Sequence, residues 1–105
     1  MWQQIYNVVL KTPIGPRYGT MEIHGDQGTV DGSLNVLMGK NTFHGSIDEG
    51  NRCQITGQLR TLMRTILYTA AGNVTWDSVC LTMRIGNKIM EVTGTALPGK
   101  EGVRP

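Results

Sequence analysis

The stretch of sequence that decides the fold is Val30-Asp-Gly-Ser-Leu-Asn-Val-Leu-Met-Gly-Lys-Asn-Thr-Phe-His-Gly-Ser-Ile47. It contains the pattern apolar, x, Gly, x, apolar twice, once on each side of a Gly-Lys turn signal at 39–40. Apolar and polar residues alternate with a period of two, as in a β-strand that buries one face. Each central glycine falls on the inward face, where it weakens a strand but permits strong coiling. The stretch therefore predicts two strands of a small, strongly coiled sheet.

The same glycine pattern recurs at 55–59 and 92–96, and the alternation continues along the chain. Turn residues, mostly Gly, Asn and Pro, interrupt it at regular intervals, which is typical of antiparallel barrels and sandwiches. The predicted strands are approximately 2–12, 17–24, 29–38, 41–48, 52–60, 64–73, 78–85 and 88–97. We expect an all-β fold, an antiparallel up-and-down β-barrel of about eight strands. A two-sheet sandwich is the alternative.

The second half of the chain resembles the first when the sequence is moved along itself by 49 residues. Leu10 then falls on Leu59 and Thr12 on Thr61, so the barrel is expected to consist of two similar halves. The segment 58–68 has apolar residues at helical spacing and could be an amphipathic helix. The repeat places a turn in the middle of that segment, which favours two strands joined by a turn.

The chain has 105 residues, 14 glycines, 17% charged residues and a formal net charge of +2. This composition indicates one globular domain, predicted at 1–97 with a flexible tail at 98–105, and excludes a disordered chain or a helical bundle. The N-terminus has neither a basic region nor a long apolar run, so no signal peptide or membrane span is predicted. We expect a cytoplasmic protein.

The charge balance gives no prediction of a macromolecular partner. An excess of two positive charges is too small to predict binding to nucleic acid or to an anionic membrane, and neither partner is expected, although a local patch remains open. Lys11, Arg52, Arg60 and Arg84 fall on outward faces, where stacking aromatic residues are missing, so they are interpreted as solubilising charge.

Alternation divides the chain into an inward and an outward set. The inward set is Trp2, Tyr6, Val8, Leu10, Met21, Ile23, Val30, Leu34, Val36, Phe43, Ile47, Ile55, Leu59, Ile66, Tyr68, Val79, Leu81, Met83, Met90 and Val92. The outward set is Thr20, Glu22, Asp31, Ser33, His44, Thr56, Gln58, Arg60, Thr82, Arg84 and Glu91. Cys53 and Cys80 match neither a disulfide framework nor zinc spacing, so both are expected to be buried or half-buried free thiols.

Several short motifs resemble those of a known group of proteins. They are Lys11-Thr-Pro-Ile-Gly-Pro16, Gly25-Asp26, Met38-Gly39 and Phe43-His-Gly45. In this order they resemble a widespread, largely uncharacterised group of small bacterial β-barrel proteins of the lipocalin-like (calycin-like) type, over most of residues 2–96. The resemblance implies the barrel architecture and brings no catalytic motif. The second half departs from it at 62–64, where Leu-Met-Arg replaces the Pro-containing turn.

Catalytic chemistry has little support in the sequence. His24 and His44 fall on the outward face, as does Glu91, and no hydrolase, zincin or phosphate-binding motif occurs. We predict no catalytic residue, no metal site and no cofactor. A cyclase- or isomerase-type enzyme that used the barrel interior would need an inward ionisable residue, which the alternation does not supply.

The barrel interior is the remaining candidate site. Its large side chains predict non-catalytic binding of a small, largely apolar molecule, with a mouth near Trp2 or near Trp76. The predicted ligand-binding residues are Trp2, Tyr6, Met21, Phe43, Tyr68, Met83 and Met90. A filled core would instead favour an interaction module, a homodimer formed through exposed Leu37, Leu62, Leu67 and Trp76.

Overall fold

A computed structural model describes residues 2–36 and 39–97, and all of its secondary structure is β-strand. The strands are β1 (Trp2–Thr12), β2 (Gly15–Asp26), β3 (Thr29–Asn35), β4 (Asn41–Ile47), β5 (Arg52–Arg60), β6 (Thr65–Val74), β7 (Ser78–Ile85) and β8 (Lys88–Ala96). Among the described residues there is no helix long and apolar enough to cross a bilayer. The predicted tail at 98–105 lies outside the described residues.

The strands form one closed, antiparallel, up-and-down barrel in chain order. Each strand pairs with the next, and β8 returns to pair with β1 from Tyr6 opposite Ala96 to Lys11 opposite Glu91. Within the described residues, closure gives every strand a partner on both sides, which is how barrels avoid open sheet edges. The predicted all-β barrel is confirmed.

The two halves of the barrel have matching registers. Tyr6 pairs with Met21, and the residues 49 positions later, Ile55 and Ala70, pair with each other. The β2–β3 and β3–β4 registers are repeated in the same way by β6–β7 and β7–β8. The segment 58–68 is two strands joined by a turn, because β5 ends at Arg60 and β6 begins at Thr65.

A hydrophobic core cluster lies inside the barrel. Its buried members are Tyr6, Val8, Leu10, Met21, Ile23, Val30, Leu34, Val36, Phe43, Cys53, Ile55, Leu59, Tyr68, Ala70, Val74, Val79, Leu81, Met83 and Val92. Two expectations from the sequence were wrong, namely that Cys80 is at least half-buried and that Ser33 belongs to the exposed outer face. Cys80 is exposed, because it takes an outward position between two inward residues of β7, Val79 and Leu81. Ser33 is buried although its position is outward, because its short side chain lies between Glu22 and Thr42 of the adjacent strands.

Glycines allow the strands to coil tightly enough to close the barrel. A Cβ atom on Gly72 would collide with the carbonyl oxygen of Cys80 in the neighbouring strand, and backbone cannot move aside as a flexible side chain can. The same kind of collision with a neighbouring carbonyl oxygen would occur at Gly19, Gly32, Gly45 and Gly94. Coiling at glycine is the device that small barrels require, and the glycine pattern in the sequence therefore encodes closure.

The up-and-down topology gives the barrel two distinct ends, because alternate turns lie together. We call one the tryptophan end: it contains Trp2 and the turns at 27–28, 48–51 and 75–77. We call the other the basic end: it contains the turns at 13–14, 61–64 and 86–87 and the described residues 39–40.

Candidate functional site

A cavity of about 390 Å³ opens at the tryptophan end of the barrel. Apolar side chains and polar residues of the 48–51 turn line it together. Its lining residues are Trp2, Ile47, Asp48, Glu49, Asn51, Val74, Thr75 and Trp76. The volume falls within the range of small-molecule sites, roughly 300–1,000 Å³, which are typically apolar with a few polar groups. Both tryptophans of the chain therefore lie in one opening.

Two buried side chains hold the 75–77 turn over the barrel. The hydroxyl of Tyr6 donates a hydrogen bond to the carbonyl oxygen of Thr75 at 2.6 Å. Gln4, only 2% exposed, donates from Nε2 to the carbonyl oxygen of Trp76 at 3.1 Å, and its Oε1 accepts the backbone N–H of Ile5 at 3.0 Å. Buried polar groups of this kind fix a loop, because an unmade bond would leave them desolvated. Trp76 is thus presented on a fixed turn.

Trp2 reaches the opening from the first residue of β1. It pairs with Gly25, and a Cβ atom on Gly25 would collide with the indole ring. The indole therefore packs against the glycine and is half-buried. A larger residue at position 25 would displace the ring, so the glycine is required for the position of Trp2 in the cavity wall.

The rim of the cavity is acidic. Asp48 and Glu49 line it, and both residues are exposed. The Oδ1 atom of Asp48 accepts the N–H groups of Gly50 at 2.8 Å and Arg52 at 3.0 Å, which shapes the turn.

Burial raises the pKa of Tyr6 well above its usual range, and the charge of nearby Asp77 adds to this increase. The hydroxyl of Tyr6 therefore stays protonated and remains a donor.

The remaining residues of the predicted ligand set lie deeper in the barrel. Met21, Phe43, Tyr68 and Met83 are buried in the core, and Met90 packs against it partly buried. Of the predicted set, the structure therefore places Trp2 in the lining of the opening and Tyr6 fully buried beneath the 75–77 turn, and it distributes the other five through the core.

Tyr68 has an unusual position within that core. Its hydroxyl is buried without a hydrogen-bond partner in the described structure, and burial raises the pKa of this group. The hydroxyl occupies the space beside Gly57, where an added Cβ atom would lie 2.8 Å from it. Gly57 therefore leaves room for the ring of Tyr68, its cross-strand neighbour.

The ionisable residues considered for catalysis lie on the outer surface. His44 and Glu91 are exposed, and His24 is half-buried with its Nε2 atom 2.9 Å from the Oε1 atom of Glu22. These outward positions confirm the alternation. Within residues 2–36 and 39–97, the structure shows no group of three His, Cys, Asp or Glu placed to hold a metal ion.

A second depression of about 660 Å³ lies on the outer wall of the barrel. It is an open groove over Val8, between Gly19 and Gly94, which pair with Val8 from either side. Its lining includes Ser78, Thr93 and other small polar residues, together with Tyr18. The tryptophan end offers more aromatic surface to a guest and has walls held by buried hydrogen bonds.

The residues proposed for a dimer patch are not adjacent. Leu62 and Leu67 are 87% and 69% exposed, at and beside the turn that precedes the body of β6. Trp76 follows β6 and lies at the opposite end of the barrel. Leu37 lies outside the described residues.

Sequence reasoning missed Val74 and Gln4 as parts of the site. Both positions follow the alternation: Val74 continues the inward series of Tyr68 and Ala70, and Gln4 lies between Trp2 and Tyr6. Both residues would have been found if the inward and outward alternation had been followed along the whole of each strand. No known protein family, curated protein or solved structure matches this chain.

Proposed function

We propose that this protein binds a small, largely apolar molecule without catalysing a reaction, and that the molecule binds in the opening at the tryptophan end of the barrel. The observation that carries the proposal is the cavity of about 390 Å³ that holds both indoles of the chain together with Ile47 and Val74. Large aromatic side chains contribute much apolar surface while losing little conformational entropy.

The buried polar groups at this opening are placed to hold the walls of a binding site and not to act on a bound molecule. Gln4 and the Tyr6 hydroxyl are engaged with backbone carbonyl oxygens of the 75–77 turn, so they fix the walls. A preformed pocket costs less to occupy than one that must be ordered by its ligand. The lipocalin-like resemblance supports the same type of function by analogy of architecture alone, and the expected cytoplasmic location belongs to this proposal.

Charge at the rim gives the site a preference. Asp48 and Glu49 line the cavity, and Asp77 follows Trp76 in the turn. Negative charge at a low-dielectric opening repels anions and attracts cations, and an indole face also attracts cations. We therefore expect a neutral or cationic guest to bind more tightly than an anionic one of the same size.

The test uses N-phenyl-1-naphthylamine, a neutral apolar fluorophore that quenches indole emission when it binds nearby. We expect saturable quenching in the wild-type protein. Trp76→Ala leaves Trp2 as the reporter and should weaken binding at least about tenfold, because it removes one wall of the cavity. Tyr18→Ala is the matched control, because Tyr18 is an exposed aromatic residue away from the opening.

The predicted charge preference is tested by displacement. Octylamine should displace the probe at lower concentration than octanoate, and Glu49→Lys should reduce or reverse that difference. If folded Trp76→Ala binds the probe as the wild type does, the tryptophan end is not the binding site. Circular dichroism and thermal unfolding of each variant separate loss of binding from loss of fold.

A further inference from the structure

The low net charge of the chain conceals a strong separation of charge along the barrel axis. Among the described residues, every Lys and Arg except Arg52 lies in the half of the barrel toward the basic end. These side chains are Lys11, Arg17, Lys40, Arg60, Arg64, Arg84 and Lys88. Every described acidic residue except Glu91 lies in the other half. The basic end is therefore the local patch that net charge could not reveal.

Exposed apolar side chains are concentrated at the same end. Ile14, Leu62 and Met63 occupy hairpin tips and are 82%, 87% and 90% exposed. Tyr18, Leu67 and Ile89, on the outer walls nearby, are exposed as well. Single exposed apolar residues are ordinary, but a group of them interleaved with basic residues marks an interaction surface.

The hairpin tips hold their shape without help from these apolar side chains. In the β5–β6 turn, the Oγ1 atom of Thr61 donates to the carbonyl oxygen of Arg64 at 2.9 Å and accepts the N–H of Arg64 at 3.1 Å. In the equivalent β1–β2 turn, the Oγ1 atom of Thr12 donates to the carbonyl oxygen of Gly15 at 2.6 Å. The threonines fix both turns, so the apolar residues project outward although the fold does not need them there.

We propose that the basic end docks on the surface of an anionic lipid bilayer. Ile14, Leu62 and Met63 enter the boundary between headgroups and acyl chains, while the surrounding Lys and Arg side chains lie against anionic headgroups. Stable attachment of a peripheral protein requires two such contributions, apolar insertion and electrostatic attraction. Both are present at this end, and the opposite end has the opposite charge.

Other occupants fit this surface less well. Single-stranded nucleic acid stacks on aromatic side chains, and Tyr18 is the exposed aromatic residue in the described part of the basic end. A protein partner that covered these residues would need a recessed surface, because the apolar groups stand on protruding tips. The acidic tryptophan end of a second copy has both the charge and a cavity, so self-association is an outcome that the test must distinguish.

The test is flotation with vesicles of phosphatidylcholine alone and with roughly 30% phosphatidylserine added. We expect binding to the anionic vesicles and its loss in about 1 M salt, where charges are screened. The double variant Leu62→Ser, Met63→Ser should lower partitioning at least about tenfold. Arg64→Gln and Lys88→Gln should each lower it about fivefold. Arg52→Gln is the matched control at the tryptophan end and should bind as the wild type does.

Three results would overturn the proposal. They are equal binding to both kinds of vesicle, an equal loss in Arg52→Gln and Arg64→Gln, and no binding to either vesicle by folded protein. Sedimentation without lipid addresses self-association: if Glu49→Lys and Leu62→Ser both abolish concentration-dependent assembly, and flotation with anionic vesicles fails, the partner is a second copy. Because the substituted side chains are exposed, the variants should unfold at the wild-type temperature.

Discussion

The two ends of the barrel are made by the same sheet and the same type of hairpin, yet they differ in shape and charge. The tryptophan end is concave and acidic, with half-buried indoles over a cavity. At the basic end, exposed apolar side chains occupy hairpin tips among Lys and Arg side chains. The strands determine the core that both ends share, and the turns alone determine what each end presents to its surroundings. In this barrel, function is expected to divide between the ends.

Each end is anchored by a buried side-chain amide, and the two anchors differ in strength. At the basic end, Asn41 donates from Nδ2 to the carbonyl oxygens of Leu34 at 3.0 Å, Val36 at 3.2 Å and Gly39 at 3.1 Å. Its Oδ1 atom accepts the N–H of Arg60 at 2.9 Å. At the tryptophan end, Gln4 makes the two bonds described above.

The largest expected effect is therefore on Asn41. Asn41→Leu leaves several buried backbone groups without partners and should lower the free energy of unfolding by about 3–4 kcal/mol. Gln4→Leu should cost about 1–2 kcal/mol, because fewer groups lose their partners. Urea unfolding of both variants measures the difference. Equal losses would show that the ends are anchored alike.

Alkaline pH should weaken the region beneath the tryptophan end. Burial raises the pKa of the Cys53 thiol from 9.0 to about 11 in the folded protein. The folded state therefore keeps a proton that the unfolded chain loses, so this contribution to stability is complete below pH 9 and is lost as the pH rises through about 11.

The expected loss from Cys53 is about 2–3 kcal/mol at pH 11, and buried Tyr6 and Tyr68 add to it above their ordinary pKa of 10.0. Unfolding free energies measured from pH 8 upward test this. Cys53→Ala should show a shallower decline between pH 9 and 10. A wild-type profile that stays flat to pH 11 would contradict the burial of these groups.

The two buried tyrosines give the sharpest matched comparison within the core. Tyr6→Phe removes the hydrogen bond to Thr75 that holds the tryptophan-end turn and should cost about 1–1.5 kcal/mol. Tyr68→Phe removes a buried hydroxyl that has no partner in the described structure, so it should be neutral or stabilising by up to about 1 kcal/mol. Thermal unfolding of both variants decides this, and a larger loss for Tyr68→Phe would reverse the interpretation.

Thiol labelling compares the accessibility of the two cysteines, and it requires the smallest change to the protein. Cys80 is exposed on the outer wall and Cys53 is buried in the core. A colourimetric disulfide reagent at neutral pH should label Cys80 in the native protein and Cys53 only after unfolding, because reaction requires an accessible thiolate. Cys80→Ser should therefore abolish the rapid phase. Rapid labelling of both residues in the native state would show that the wall opens at β5.

The core was predictable because alternation and the glycine pattern are local. The inward series of β1 and β6 is read directly from spacing, and the repeat at 49 residues resolved the segment 58–68. Cys80 and Ser33 show the limits of that approach. The outward position of Cys80 in the alternation correctly indicates exposure, but the general tendency of cysteine to be buried led to the opposite expectation. The burial of Ser33 depends on the sizes of its cross-strand neighbours, which alternation does not give.

The character of the two ends depends on closure, which no single segment reveals. Asp48 and Asp77 are far apart in sequence and lie at the same end only because alternate turns of a meander lie together. Summing the charges of alternate turns would have exposed the separation, since the topology was already predicted. The cavity was not predictable in this way, because its volume depends on how Trp2 and the turn that bears Trp76 lie in three dimensions.

The central claim is that a small apolar molecule binds at the tryptophan end and not at the basic end. Its most direct test is a two-dimensional ¹H–¹⁵N NMR titration of the labelled protein with N-phenyl-1-naphthylamine. We expect saturable shifts of both indole N–H signals and of the Thr75 amide, with the amides of Leu62 and Met63 unchanged. Shifts centred on Leu62 and Met63, or no saturable shift at either indole, would contradict it.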